Sequence, residues 1–483
     1  MCTVKNNFRF IVLSAIMLIG VKNVAQIISD TTGTLTWSLD TNVHTLTISG
    51  IGEMPNYSGY APWYSHRNSI VTIVIDSGVT SIGDYAFSEC SNLTSVSIPN
   101  GITSIGIYAF CQCGNLSLAT IPSSVINIGE GAFQYCSNLT SINIPDSITD
   151  IHNSTFQQCS NLSSVNIPYN VTSIGNAAFY GCSSLTSIII PDRVKTIDSY
   201  AFISCSSLIS VTIPDSVSSI GRYAFGLCSN LKAINVNSNN TTFTSENGVL
   251  FNKSKTVLMQ YPIGKISTYY TVPNSVDSIA TSAFRTCAYL NTVTIPDNVT
   301  RLGSNVFDGC YNLRYVTIGN SVKTLGQAVF LSCGSLADIY SFNETPPLAY
   351  NNSTFSGVDK NSCRLHVPIG CQSKYAAADG WQEFFNIVED LSIYSITANY
   401  KLQVYPNPTT GQLIIDNGQL TTASPNPSTR GELPTIEIYD VVGQKINYQL
   451  STVNYQLSID FSHLANGLYF LKVDGQTVKI VKE

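Results

Sequence analysis

Charge is what this sequence has least of. Only 11% of its 483 residues are Asp, Glu, Lys or Arg, less than half the share of about a quarter usual in soluble proteins. The charges are scattered without a basic run and sum to −6, so nothing electrostatic draws the chain to nucleic acid or to an anionic membrane. Histidine is nearly as scarce: His44, His66, His152, His366 and His463 fall in separate segments, and none belongs to a pattern that pairs it with a nucleophile. No Ser–His–Asp or Cys–His arrangement is therefore legible. No glycine-rich phosphate loop and no calcium loop of spaced Asp occurs. Zinc sites want two close cysteine pairs, and the 14 cysteines contain one, Cys111-x-Cys113. These absences exclude the common catalytic classes, and neither a cofactor nor a metal is expected.

A membrane span is also missing. The apolar stretch Phe10–Val21, behind Lys5 and Arg9, is shorter than the roughly 20 residues a bilayer crossing requires. It reads as an export signal, with Ala25 the expected last residue before cleavage. Cys2 precedes the apolar stretch, so it cannot be the acceptor of a lipoprotein anchor.

What is present is a repeat. The hydrophobic share of 44% is enough for a folded core. Phenylalanine stands at 87, 110, 133, 156, 179, 202 and 225, then at 284, 307 and 330, always 23 residues apart within each run. A Cys follows three residues after each Phe, and a Leu three residues after each Cys. Such a period means stacked coils that bury jointly what none could bury alone. In Leu93-x-x-Val96-x-Ile98 the apolar residues face inward and the strand joins a parallel sheet. Pro99 and its equivalents end the strand for want of a ladder donor. Ile102 and Ile105 start a second inward row. The glycine column (83, 106, 129, 175, 221, 303, 326) suggests positive φ, with His152 and Asp198 as tolerated substitutes and Ala280 as a misfit. The segment Tyr85-Ala86-Phe87 is expected to make one helical turn, and the Phe column an aromatic spine.

Around the coils stand other elements. GTLTWSLDTNVHTLTISG and the aromatic cluster after it form an N-terminal cap. A segment with Trp381, Phe384 and Phe385 forms a C-terminal one. The 59-residue step from Phe225 to Phe284 includes GVLFNKSKTVLMQYP, read as a hairpin turning at Asn252 to Lys255 and protruding from the wall. The column cysteines read as small buried hydrophobes, with an occasional disulfide between neighbouring coils, or between Cys363 and Cys371, as the alternative. On the outer strand face the residues run Ser95/Ser97, Leu118/Thr120, Ser141/Asn143, Ser164/Asn166, and end in Tyr315/Thr317 and Asp338/Tyr340. Tyr315, Asp338 and Tyr340 are the candidate binding residues, because they interrupt a bland polar ladder and Tyr is an efficient anchor. The other reading of the same face is an inert β-surface.

The F-x-x-C-x-x-L-x-x-[IV]-x-I-P repeat, the opening LTWSLD…LTISGIGEMPNY…APWY, the insertion and the closing VPIGCQSKYAAADGW resemble the BspA-like leucine-rich-repeat surface proteins of bacteria, over roughly residues 30–390. The resemblance implies adhesion to host matrix proteins or to other cells. The remainder, with Tyr405-Pro406-Asn407-Pro408, Gly467-Leu468-Tyr469 and the closing Lys479-Ile480-Val481-Lys482, is similar to the C-terminal sorting domain of type IX secretion cargo. Its short alternating strands fit a small antiparallel β-sandwich. It departs from that pattern in SPNPSTRGEL at 424–433, which nearly repeats YPNPTTGQL at 405–413 and is expected to lengthen a loop.

The expected organisation is a signal peptide (1–25), an N-terminal cap (26–63), a leucine-rich-repeat solenoid (64–342) with a hairpin insertion at about 241–262, a C-terminal cap (343–390) and a sorting domain (391–483). The expected function is adhesion, or binding of a host or bacterial surface protein or glycan, from the outer cell surface or the medium. Type IX secretion machinery is the expected export partner. A structural surface-layer component without a specific ligand is the alternative.

Overall fold

The computed structural model describes residues 26–350 and 353–391, and strands between 403 and 482. The leader 1–25 and the duplicated stretch 424–433 lie outside the described residues. The chain divides into two compact units, the second made chiefly of residues from Glu389 onward.

In the first unit each coil has three sides. The first is a short strand such as Ser95–Ser97, Ser141–Asn143 or Tyr315–Ile318, stacked in parallel register so that Ser95 faces Leu118 and Ser141 faces Ser164. Exposure alternates along it, so Val96 enters the core while Ser95 and Ser97 face solvent, as strand geometry demands. At its end the proline carbonyl accepts the turn bond, as in Ile102 N–H to Pro99 O at 3.1 Å. The second side is a two-residue strand, Ser104–Ile105 in one coil and Asn127–Ile128 in the next.

The third side, around each Phe, is a ladder of turns instead of the expected helical turn. Alternate N–H groups go to different partners. Ala86 and Ser88 close turns on Gly83 and Tyr85, whereas Tyr85, Phe87 and Glu89 donate to Ile107, Ala109 and Cys111 of the next coil. That alternation requires positive φ two residues before and two after the Phe, as at Tyr85 (54°) and Glu89 (61°). The glycine column serves a different purpose from the one expected. None of its members has positive φ. A Cβ on Gly106 would lie 2.5 Å from Asp84 N, and one on Gly221 2.2 Å from Ser199 N, so glycine permits the close approach of successive backbones.

Inside this side runs the aromatic spine. From Phe87 to Phe225 successive rings stack 5.2–5.9 Å apart, and the stack resumes from Tyr261 through Phe284, Phe307, Phe330 and Phe355. Trp63 covers one end at 5.8 Å from Phe87. Trp381 and Phe384 cover the other against Phe355, while Phe385, expected beside them, is exposed. Behind the spine the column thiols tie coil to coil: Cys113 donates to Phe87 O at 3.1 Å and Cys136 to Phe110 O at 3.2 Å. All described cysteines, Cys363 and Cys371 included, are buried unpaired thiols.

Burial pushes the Cys90, Cys228 and Cys310 thiols up to about 12. A thiol reagent at pH 8 should therefore label almost none of the column in the native protein, because the reactive thiolate is suppressed and covered, and label all of it after denaturation. Column cysteines recovered as linked pairs from a non-reducing digest would refute this.

The insertion does not protrude. Phe243–Glu246, Val249–Asn252 and Val257–Gln260 form an antiparallel meander, and its third strand pairs in parallel with Ser278–Ile279 of the next coil. Val249, Leu250, Phe251 and Leu258 are fully buried, so this apolar sequence is built into the wall because solvent would not tolerate it. First-side pairing stops at Ala233–Val236 and restarts at Tyr269–Thr271; second-side pairing stops at Ser219–Ile220 and restarts at Val257–Gln260. The N-terminal cap is a three-stranded antiparallel sheet, Ile27–Thr32, Leu35–Asp40 and Thr45–Gly50, whose last strand starts the parallel stack.

The second unit contains two four-stranded antiparallel sheets. One holds Gln403–Tyr405, Gln412–Asp416, Gln456–Asp460 and Leu450–Val453; the other holds Lys445–Ile446, Ile436–Asp440, Gly467–Val473 and Gln476–Lys482. Ile459 of the first sheet and Ile438, Leu471 and Ile480 of the second are fully buried.

Candidate binding face

The strand face changes character along the solenoid. Over the N-terminal coils its outward positions are mostly Ser, Thr and Asn, with Val74, Leu118 and Ile189 the exposed large apolar exceptions. Over the C-terminal coils the pairing aligns two rows across five strands. Tyr269, Thr292, Tyr315, Asp338 and Arg364 form one; Thr271, Thr294, Thr317, Tyr340 and His366 form the other. The three candidates are thus brought to one patch, Tyr315 beside Asp338 on neighbouring strands and Tyr340 two residues further along the second strand.

Their environments differ. Tyr315 is exposed, with the Arg314 guanidinium 5.9 Å from its ring centre. Asp338 was expected at the surface but is 1% exposed. The reason is the next strand, Arg364–Pro368, which lays an arginine and a histidine on the carboxylate: Arg364 Nε–H donates to Oδ1 at 2.6 Å and His366 Nε2–H at 2.9 Å. Tyr340 is half-buried because its ring stacks on His366, 4.4 Å between centres and 15° from parallel. Burial alone would raise the Asp338 carboxyl, but the hydrogen bonds from Arg364 and His366 outweigh it and hold the group below its ordinary value. Asp338 therefore acts as the keel of the patch, fixing Arg364 and His366 and, through the latter, Tyr340.

A carboxyl whose folded value is depressed contributes stability in full above its unfolded value, near 4, and loses it as the pH falls through the folded value. The melting temperature of Asp338→Asn should thus lie below that of the native protein at neutral pH, with the gap closing in acid. A gap independent of pH would remove Asp338 from this role.

Residues not singled out from the sequence enlarge the patch. Tyr269 is 50% exposed at the head of the first row, and Tyr289 and Tyr311 are exposed in the loops leading into the next two strands. Arg364 keeps its outer edge in solvent. The signal for Tyr269 and Arg364 was available: each stands four residues before a strand-ending proline, Pro273 or Pro368, the distance that separates Thr292 from Pro296.

The profile of the BspA type Leucine rich repeat region matches residues 63–171, 149–257 and 264–366. The chain belongs to the BspA-type leucine-rich-repeat family. Its C-terminal segment, residues 403–483, matches the Secretion system C-terminal sorting domain. This BspA-type protein is accordingly a type IX secretion cargo, located at the outer surface or in the medium. A leucine rich cell surface protein from Faecalibacterium prausnitzii shares its architecture with 29% identity and a TM-score of 0.54, over 73% of this chain and 98% of that one. A leucine-rich repeat protein from Eubacterium ventriosum is 28% identical at a TM-score of 0.40, covering 71% of this chain and 78% of its own. The pneumococcal vaccine antigen PcpA is 19% identical at a TM-score of 0.45, covering 77% of this chain and 100% of its own. No curated protein matches the chain significantly. Leucine-rich-repeat families are generally binding proteins and not enzymes, and among the described residues no helix is long and apolar enough to cross a membrane.

Proposed function

We propose that this BspA-type protein is an adhesin whose C-terminal strand face holds a protein or glycan ligand outside the cell, and that it performs no chemistry. One observation carries the reading. Exposed tyrosines gather where the polar ladder ends, around a carboxylate that pins an arginine and a histidine. Rigid aromatic side chains with polar tips, beside pre-oriented charge, are what binding surfaces concentrate at their centres. The mostly Ser/Thr/Asn ladder over the N-terminal coils favours a second reading, a structural surface-layer component without a specific ligand.

An array of glycans and matrix proteins, probed with the purified secreted protein, separates the two. Saturable binding to a restricted set supports the adhesin. Uniformly absent binding, together with ordered self-assembly of the protein alone, supports the structural component.

A further inference from the structure

The regular spacing of coils fails after Phe225, and a cavity of about 310 Å³ opens there. One wall is the turn segment from Gly221 to Leu227, the facing wall runs from Ala280 to Thr286, and Leu250, Met259 and Ile263 supply an apolar floor. This volume is at the lower end of the range for small-molecule sites, about 300–1,000 Å³. It admits one or two compact residues, not a helix or a strand.

The wall at Gly221–Leu227 carries an unusual set of donors. In each coil from Phe87 to Phe202, and again at Phe284 and Phe307, three alternate N–H groups of the turn ladder donate to carbonyls of the next coil. In the coil just before the break these bonds are Tyr200 to Arg222 O, Phe202 to Ala224 O and Ser204 to Gly226 O, at 3.0, 2.8 and 2.9 Å. Among the described residues the equivalent N–H groups of Tyr223, Phe225 and Leu227 have no acceptor. Phe225 is buried, where an unpaired backbone group is costly, while Tyr223 is half-buried and Leu227 exposed, so their donors are open to a ligand. Tyr223 and Leu227 both have φ of 56°, and a left-handed residue set in a turn is an element from which anion-binding concavities are built.

The side chains add charge of the matching sign. Arg285 is committed, its Nε to Asp308 at 2.8 Å and its Nη1 to the Tyr223 hydroxyl at 3.3 Å. Arg222 lies over the Tyr223 ring at 5.0 Å, and among the described residues no acid pairs with it. Thr281 brings a further hydroxyl to the lining, whereas Thr286 and Gln260 already donate to Arg285 O and Phe225 O.

We propose that this cavity is a second binding site, distinct from the strand face, for a small carboxylate on a compact polar body. The carboxylate accepts from the N–H groups of Tyr223 and Leu227 and is balanced by the Arg222 guanidinium, as charge-assisted hydrogen bonds favour. Either an acidic monosaccharide or an acylated amino acid carries this chemistry.

The test is calorimetric titration of the purified protein with N-acetylneuraminate, glucuronate and N-acetylglutamate, each beside its methyl ester. At least one acid should bind about tenfold or more tightly than its ester. Arg222→Gln should weaken that acid about tenfold, a loss of about 1.4 kcal/mol, and Thr281→Phe, which fills the cavity from its exposed rim, should abolish binding. Tyr315→Ser should leave it unchanged, which keeps this site separable from the strand face. Binding confined to sugar acids assigns a glycan source, and binding confined to the acylated amino acid assigns a peptide source. Failure of every acid to exceed its ester, or binding that survives both cavity variants, overturns the proposal.

Discussion

Phe179→Ala is expected to cost about 3–5 kcal/mol, the range for deleting a buried aromatic side chain. Phe179 is wholly buried and stacks on two neighbours, Phe156 at 5.4 Å and Phe202 at 5.2 Å. Each such contact is worth roughly 0.5–1.5 kcal/mol beyond the area it buries, so the substitution weakens two coil–coil interfaces together. A repeat array responds through nearest-neighbour terms. The loss should therefore split one denaturant transition into two, as the coils on either side of the gap uncouple. Ser164→Ala, on the exposed strand face of the preceding coil, should move the transition by less than about 0.5 kcal/mol. A Phe179→Ala cost below about 1 kcal/mol would mean that the spine does not hold the coils together.

Trp381→Ala should cost a similar amount, about 3–5 kcal/mol, and express it differently. Trp381 is fully buried, lies 4.8 Å from Phe355 and 5.3 Å from Tyr375, and donates its Nε1–H to Pro347 O at 2.7 Å. It closes the spine where no further coil follows. Its removal uncovers Phe355 and leaves the Pro347 carbonyl unpaired, and an end without its cap frays. Hydrogen exchange should accelerate in Arg364–Pro368 and Asp338–Ser341 while Ser141–Asn143 keeps its protection. Trp381→Phe should retain most of the packing and lose about 1 kcal/mol with the hydrogen bond. Acceleration spread evenly along the solenoid would show that the molecule unfolds as one block and that Trp381 is not a cap.

The period made most of this architecture legible, because a residue that recurs every coil meets its own copy. Phe, Cys, Leu and Pro each form a column, and a column declares a core row, a thiol tie, a strand and its end. Functions that depend on backbone conformation were harder to read. The glycine column looked like a positive-φ column because composition cannot separate a left-handed residue from a close approach. The left-handed positions lie two residues on either side of each Phe and are filled by Tyr, Glu, Gln, Ser and others, with no residue type to mark them. Trp63, Tyr261 and Phe355 escaped the spine count for separate reasons. Tyr261 keeps the 23-residue step to Phe284 but is not Phe, whereas Trp63 and Phe355 sit at steps of 24 and 25.

At the candidate site the rows were legible and the burial was not. Strand alternation placed Asp338 outward correctly. It could not show that Arg364 and His366 of the following strand would close over its carboxylate, because that strand belongs to the cap, where the Phe–Cys–Leu columns have ended. The cavity beside Tyr223 was illegible for a related reason, since it exists only where the period breaks and a ladder of N–H groups loses its partner.

The central claim is that recognition resides on the C-terminal strand face, and one comparison of affinities tests it most directly. For whichever ligand the array identifies, Tyr315→Ser combined with Tyr340→Ser should weaken binding by about 2 kcal/mol or more, while Ser141→Ala combined with Ser164→Ala should leave affinity unchanged, with both double variants melting as the native protein does. Equal losses at the two ends of the face, or undiminished affinity in the tyrosine variant, would contradict the account.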